Sequence, residues 1–134
     1  MATLFTRIIK GEIPSYKCAE NDEFYAFLDI NPIAKGHTLV VPKREEDYFF
    51  NLSDEEIARM QVFAKRVAVA IQKAFPCRKV AQAVIGLEVN HAHIHLVPIN
   101  QEGELFSGKH VELTTEQMEA IAKAIADEYN TNNA

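Results

Sequence analysis

Two long stretches of the chain carry apolar side chains at the three- and four-residue spacing of an amphipathic helix. The first stretch ends before Pro76 and contains Ile57, Met60, Phe63, Ala64, Val67, Ile71 and Phe75. The second stretch lies near the carboxyl terminus and contains Met118, Ile121, Ala122, Ile125 and Tyr129. Each follows a capping box, Ser53 to Glu56 and Thr114 to Gln117, whose paired side chains satisfy free amides of the first turn. The pattern predicts a long helix of about six turns and a carboxyl-terminal helix.

Short apolar runs between turn residues predict five strands, which are Tyr16 to Glu20, Glu23 to Leu28, His37 to Val41, Val80 to Ile85 and His91 to Ile99. A short helix precedes them, because Leu4, Phe5, Ile8 and Ile9 recur at helical spacing and Gly11 follows as a C-cap. Strands outnumber helices, and neighbouring strands can pair as hairpins. The sequence therefore predicts the α+β class, with a mainly antiparallel sheet, one long central helix and a C-terminal helix.

Length, charge and cysteine content narrow the classes of protein. A chain of 134 residues is about one domain long, so we expect a single domain over 1–134 with a helical extension at about 110–130. The formal net charge of −5 argues against a protein that binds the nucleic acid backbone. The chain has no apolar run of membrane-spanning length, and residues 1–7 do not resemble a secretory signal, so we expect a cytoplasmic protein. Cys18 and Cys77 lie outside any CxxC pattern and are expected to be structural thiols.

Three histidines, His91, His93 and His95, alternate with apolar residues in the last predicted strand. Side chains two residues apart on a strand point to the same face, so the pattern predicts a row of imidazoles about 6.6 Å apart. Such a row has two chemical interpretations. The imidazoles can hold a zinc ion, or one neutral imidazole can attack a phosphorus atom while its neighbours handle charge and protons. Periodicity alone leaves both interpretations open.

The residues around this row resemble the signature of the histidine triad (HIT) family. The family pattern is His-φ-His-φ-His-φ-φ, with φ apolar, and it matches His91 to Val97 after a loop that contains Gly86. The resemblance continues upstream, in family order, through Leu4 to Pro14, Ala26 to Pro32 and Gly36 to Pro42. It covers roughly residues 3 to 99, is most similar to the Hint-like bacterial branch, and implies a HIT-like fold.

The resemblance also implies a role for each matching residue. His93 is similar to the family nucleophile, which forms a covalent nucleotidyl intermediate, and His95 is similar to a histidine that contacts the phosphate and assists the leaving group. His91 and His37 match a pair behind the nucleophile that orients it and tunes its protonation. Asp29 matches the residue that holds the ribose hydroxyls. The apolar purine slot of the family matches six residues that would also fit a hydrophobic core, namely Leu4, Phe5, Ile8, Phe27, Ile30 and Leu39.

Two departures from the family pattern bear on metal and substrate. Some bacterial relatives carry a CxxC motif near the amino terminus that helps to bind zinc, and the corresponding positions here are Thr3 and Thr6. We therefore expect no structural zinc. The polar pair that contacts phosphate before the triad is replaced by Leu87 and Glu88, and Gln82 is a candidate for the missing amide. These replacements bear on the substrate class and on turnover itself.

The leading hypothesis is a metal-independent hydrolase or nucleotidyl transferase that acts at the α-phosphate of purine nucleotide conjugates such as phosphoramidates. It requires no cofactor and no metal ligands. One alternative is a nucleotide-binding regulatory module with little turnover, and another is a metalloenzyme that uses His91, His93 and His95. By resemblance, we also expect a homodimer in which two sheets join, with a purine nucleotide as ligand and neither nucleic acid nor membrane as partner.

Overall fold

The computed structural model describes residues 2–133, and its centre is a five-stranded sheet in the order β1-β2-β3-β5-β4. All neighbouring strands are antiparallel. The strands are β1 Lys17–Glu20, β2 Phe24–Leu28, β3 Thr38–Pro42, β4 Lys79–Ala83 and β5 Ile94–Ile99. Helices pack against this sheet, so the predicted α+β class with an antiparallel sheet is confirmed.

Four helices surround the sheet, and they are α1 Leu4–Ile9, α2 Asp54–Ala74, α3 Gly103–Phe106 and α4 Thr115–Asn132, with a 3₁₀ turn at Phe49–Asn51. Both predicted capping boxes form, at the starts of α2 and α4. Helix α1 ends as its glycine predicts, because Gly11 adopts a φ of 80° that side chains disfavour. No helix within residues 2–133 has the length and the apolar content needed to cross a membrane.

The main core lies between one face of the sheet and helices α2 and α4. Alternate strand residues point into it, so Phe24, Ala26 and Leu28 of β2 meet Met60 and Phe63 of α2. This is the amphipathic face that the sequence pattern assigned to α2. Both cysteines are free, and Cys18 is buried in this core.

The opposite face of the sheet is also covered, by helix α1. The alternating residues of the same strands are buried there. Tyr25 and Phe27 of β2 and Leu39 of β3 form a second buried cluster with Phe5 and Ile8 of α1. Every residue of β2 and β3 is buried as a result. On β5, Ile94 and Leu96 face the main core. The side chain between them, His95, therefore points to the face that carries α1.

Candidate active site

A cavity of about 540 Å³ opens on the face of the sheet that carries α1. His93 and His95 line it. Its walls also contain all seven residues that the family resemblance assigned to the nucleotide, namely Leu4, Phe5, Ile8, Phe27, Asp29, Ile30 and Leu39. Four of the six apolar residues, Phe5, Ile8, Phe27 and Leu39, also belong to the second buried cluster. The same residues therefore form part of the core and line the cavity. Leu4 and Ile30 stand at the rim, where they are 47% and 82% exposed.

The three triad histidines do not lie in a row on one strand, which corrects the sequence-based expectation. Strand β5 begins at Ile94, after His91 and His93, and its ladder with β3 stops at the pair Val40 and Ile94. Pro42 lacks an amide hydrogen for a further ladder bond. Its carbonyl instead accepts a hydrogen bond from His91 Nε2 at 2.8 Å. The segment before β5 therefore turns, and each of the three imidazoles has different surroundings.

His93 has one ring nitrogen held by the backbone and the other left free. Its Nδ1 lies 2.7 Å from the carbonyl oxygen of His91. Because a carbonyl oxygen only accepts, Nδ1 carries the proton and Nε2 carries the lone pair. The ring packs edge-on against Phe5, with 5.1 Å between centroids, and lies 4.9 Å from the ring of His95. Within residues 2–133, Nε2 of His93 has no hydrogen-bond partner.

A hydrogen bond from His37 sets the tautomer of His95, and a hydrogen bond from the backbone sets the tautomer of His37. The amide of Ile33 donates to His37 Nδ1 at 3.0 Å, so the proton of neutral His37 lies on Nε2. That nitrogen is 3.0 Å from His95 Nδ1, which must accept. The proton of neutral His95 therefore lies on Nε2, the other side of the ring. The sequence analysis placed His37 behind His93, whereas its direct partner in the structure is His95.

Burial keeps this pair neutral. Burial lowers the pKa of His37 to about 4, although the Asp29 carboxylate opposes the shift. Burial also lowers the pKa of His95, and the neighbouring His93 acts in the same direction. An extra proton on His37 would have to face the amide hydrogen of Ile33, so the hydrogen bonds and the burial favour the same neutral state.

His91 is fully buried and uses both ring nitrogens away from the cavity. Nε2 donates to the Pro42 carbonyl at 2.8 Å, and Nδ1 lies 2.7 Å from the Thr3 hydroxyl. Burial lowers the pKa of His91, against the opposing effect of the hydrogen bond to Pro42. The main-chain carbonyl of His91, not its ring, is what contacts His93. Sequence reasoning missed the contact with Thr3, because no local pattern marks a partner 88 residues away.

The donor atoms argue against the metal alternative built on His91, His93 and His95, since both ring nitrogens of His91 are already engaged. A different trio, Asp29, His37 and His95, brings its ligand atoms within 4.8 Å of one another. This trio fits a metal poorly. An imidazole that binds a metal through Nε2 carries its proton on Nδ1, and at His37 that proton would point at the amide of Ile33.

The segment before β5 supplies the remaining wall of the cavity. Glu88 is exposed and lines the cavity, and its charge raises the pKa of His95 against the dominant effect of burial. Leu87 is 86% exposed at the same rim. Gln82 does not replace the missing amide side chain that would contact phosphate. Its own amide exchanges hydrogen bonds of 2.7 and 2.8 Å with Gln61 of α2, on the other face of the sheet.

The assembled site combines four chemical features. An apolar slot can accept a flat ring system, and the Asp29 carboxylate at its edge can accept hydrogen bonds from hydroxyls. Next to it, His93 offers a neutral nitrogen lone pair and His95 offers an N–H donor. A nucleophile beside a donor is the pair of groups that acyl or phosphoryl transfer needs.

Comparison with known proteins agrees with this geometry. The family model described as HIT domain matches residues 10–102. An adenosine 5′-monophosphoramidase of Saccharomyces cerevisiae is 38% identical over 102 residues, covering 75% of this chain and 65% of the relative. One from Schizosaccharomyces pombe is 34% identical over 129 residues, covering 94% and 97%. The crystal structure of a HIT-like protein from Bartonella henselae superimposes with a TM-score of 0.80 at 30% identity, covering 94% of this chain and 95% of that one.

Proposed function

Because the chain belongs to the histidine triad (HIT) family, we propose that it is a metal-independent purine nucleotide hydrolase or nucleotidyl transferase. In this proposal it acts at the α-phosphate through a nucleotidyl-His93 intermediate. The observation that carries the proposal is the free Nε2 of His93 beside a cavity lined by the residues that match the nucleotide slot. The two yeast relatives named above are adenosine 5′-monophosphoramidases, which favours adenosine phosphoramidates as the substrate class.

In the proposed reaction, Nε2 of His93 attacks the α-phosphorus and forms a nitrogen–phosphorus bond. The bond from phosphorus to the leaving nitrogen breaks, and an amine departs. Because the His37–His95 pair resists a further proton, the leaving nitrogen brings its own proton in the bound substrate. Nε2–H of His95 donates to a phosphoryl oxygen and stabilises the charge that develops there. Water then attacks the phosphorus, His93 leaves as a neutral imidazole, and the surplus proton of the water passes to solvent.

Steady-state turnover separates this proposal from the alternative of a nucleotide-binding module with little turnover. The observation that favours the binding module is the replacement of the family's polar pair by Leu87 and Glu88, which are both exposed. We expect multiple turnovers of an adenosine phosphoramidate, and we expect unchanged activity after chelator treatment and desalting. Tight nucleotide binding without turnover would favour the binding module. Stoichiometric zinc, with loss of activity on its removal, would favour the metalloenzyme.

Glu88 is expected to select against highly charged substrates. An added unit charge about 4 Å away costs about 1 kcal/mol in water and about 4 kcal/mol at an effective dielectric of 20. Glu88 is exposed, so the lower value applies, which corresponds to a preference of about five-fold. We predict that kcat/KM is higher for an adenosine phosphoramidate than for a dinucleoside polyphosphate, and that Glu88→Ser narrows the gap.

The matched control for this measurement is Glu119→Ser, which also removes an exposed carboxylate but one outside the cavity lining. It should leave the ratio of the two kcat/KM values unchanged. A wild-type preference for polyphosphates, or an unchanged ratio in Glu88→Ser, would show that this carboxylate does not set specificity.

We further propose that residues 1–134 form one HIT domain with a helical extension at about 110–130, and that two copies form a homodimer in the cytoplasm. Free cysteines fit a reducing compartment, and the net charge of −5 disfavours nucleic acid as a partner. Strand β4 lies at the edge of the sheet. A second copy can pair with that edge, and Val62 and Val69 are exposed on the adjacent helix α2.

Light scattering tests the dimer directly. The expected mass is twice the 15.1 kDa of the chain. Val69→Glu should shift the mass toward the monomer, because it buries a charge in the proposed interface. Val111→Glu is the matched control, since Val111 is 39% exposed and Val69 is 40% exposed. A monomeric wild-type protein, or an equal effect of both substitutions, would contradict the proposed interface.

A further inference from the structure

Behind the cavity, the start of α1 is joined to His91 by a short hydrogen-bond network. The Thr3 hydroxyl lies 2.7 Å from His91 Nδ1, and the same oxygen accepts the amide hydrogen of Thr6 at 3.0 Å as the N-cap of α1. The backbone amide of Thr3 donates to the Glu45 carboxylate at 2.8 Å. We propose that Thr3 is a positioning residue that holds His91, and through its carbonyl the nucleophile His93, in the reactive orientation.

The direction of each hydrogen bond follows from the groups that cannot change roles. The Pro42 carbonyl can only accept, so the proton of neutral His91 lies on Nε2 and Nδ1 must accept. Thr3 is therefore the donor to Nδ1. A hydroxyl has a single proton, so in its 3.1 Å contact with the Thr6 hydroxyl the Thr3 oxygen accepts, as it does from the Thr6 amide. One hydroxyl therefore caps the helix and orients the imidazole at the same time.

Glu45 holds Thr3 in place from the other side. It accepts from the Thr3 amide at 2.8 Å, and the Thr6 side chain, followed by this amide, lowers the pKa of the Glu45 carboxyl. The carboxylate therefore stays charged and remains an acceptor near neutral pH. These contacts fix the first turn of α1, which carries Leu4 and Phe5 into the cavity wall.

The backbone of His91 links this residue to His93, the proposed nucleophile. The carbonyl of His91 accepts the Nδ1 proton of His93 at 2.7 Å, and this bond leaves Nε2 of His93 with the lone pair. Beside this carbonyl, the amide of Ala92 donates to the Glu46 carbonyl. Phe5 touches both rings, with centroids 5.7 Å from His91 and 5.1 Å from His93. The ring of His91, held at both nitrogens by Thr3 and Pro42, therefore anchors the residue whose carbonyl orients His93.

Three substitutions separate the two roles of Thr3, as N-cap of α1 and as hydrogen-bond donor to His91. They rest on the premise that His93 is the nucleophile of the proposed function. Thr3→Ser keeps both roles and should retain wild-type kcat. Thr3→Asp keeps the cap, because aspartate is a good N-cap residue, but a carboxylate has no proton to donate to His91. Thr3→Val removes both roles. We expect kcat to fall by about ten-fold to a hundred-fold in Thr3→Asp and Thr3→Val, with KM for the nucleotide conjugate changed far less.

A spectroscopic measurement tests the same inference without turnover. Nitrogen NMR of the histidine rings should show His91 with its proton on Nε2 in wild type and in Thr3→Ser. In Thr3→Asp the introduced carboxylate should favour a proton on Nδ1 as well, so His91 should titrate at higher pH and the pH profile of kcat should shift with it. Thr114→Val is the matched control, because Thr114 caps α4 in the same way and does not line the cavity. It should reduce thermal stability and leave kcat unchanged.

The outcomes distinguish this inference from the proposed function. Wild-type kcat in Thr3→Asp, or a loss in Thr3→Ser as large as in Thr3→Val, would overturn the positioning role. So would a His91 ring in wild type with its proton on Nδ1 alone. If wild type turns over no nucleotide conjugate but the ring signals change as expected, the proposed function fails while the assigned link from Thr3 to His91 stands.

Discussion

Turnover of adenosine phosphoramidates should fall by about 10⁴-fold or more when His93 is replaced, because removal of a nucleophile removes the covalent route altogether. His93→Ala deletes the ring. His93→Asn is the better-matched variant, since its amide can still donate to the His91 carbonyl while it lacks an atom at the Nε2 position. Nucleotide binding should remain nearly intact in both variants, because the apolar slot and Asp29 are unchanged. Steady-state rates and direct nucleotide titration measure the two properties separately.

A covalent adduct gives an independent check of the same residue. Acid-free quenching of wild type during turnover should trap a mass increase of one nucleoside monophosphate, and peptide mapping should place it on His93. His93→Gly with added imidazole should regain part of the rate, since free imidazole can occupy the space of the missing ring. Retention of more than about a tenth of the wild-type rate by His93→Ala, well above what loss of a nucleophile allows, would contradict the assignment.

Stability should rise as pH is raised from about 4 to 6.5, because the buried histidines must stay neutral in the folded state. The pKa of His37 is lowered to about 4 by burial, whereas the unfolded chain takes up a proton near 6.5. Between these values the unfolded state binds more protons than the folded state, so lowering the pH favours unfolding. His37 alone should contribute about 2–3 kcal/mol over this window. Burial lowers the pKa of His91 and His95 as well, so both act with the same sign.

Urea unfolding at a series of pH values measures this slope. His37→Asn should reduce it, because its side-chain oxygen can still accept from the amide of Ile33 but does not titrate. His110→Asn is the comparison variant, since His110 is exposed, bonds to the Asn31 carbonyl and is only a minor cause of the lowered His37 pKa, so the slope should change far less. Data above about pH 5.5 avoid the paired carboxylates such as Glu56, because its pKa is about 2 in the folded state but about 4.3 in the unfolded chain, so its contribution to stability changes below that pH. A free energy of unfolding that is flat across the window, or that falls as pH rises, would contradict the neutral assignment of His37.

The long helices were predictable from sequence because their signals are local. Apolar spacing and a capping box lie within one segment, so α2 was predicted to end before Pro76 and ends at Ala74. The strands were predicted with errors of at most three residues at their ends, and the ends at Glu20, Leu28 and Ile99 were exact. Strand ends depend on ladder partners from elsewhere in the chain, and the sequence of one strand does not contain them.

The sequence by itself determined the fold class, the family and nine of the eleven candidate site residues that line the cavity, whereas His37 and His91 are not part of its lining. Alternation and caps specify which faces are buried, and the triad pattern is specific enough to identify the family. Only the tertiary structure decided where each of the three histidines lies and which hydrogen-bond partners its ring has. Pro42 ends the ladder, so His91 turns into the interior and only His95 lies on β5. The carbonyl of His91 and the amide of Ile33 then dictate which ring nitrogen carries each proton, because a backbone group has a fixed role as donor or acceptor while an imidazole does not.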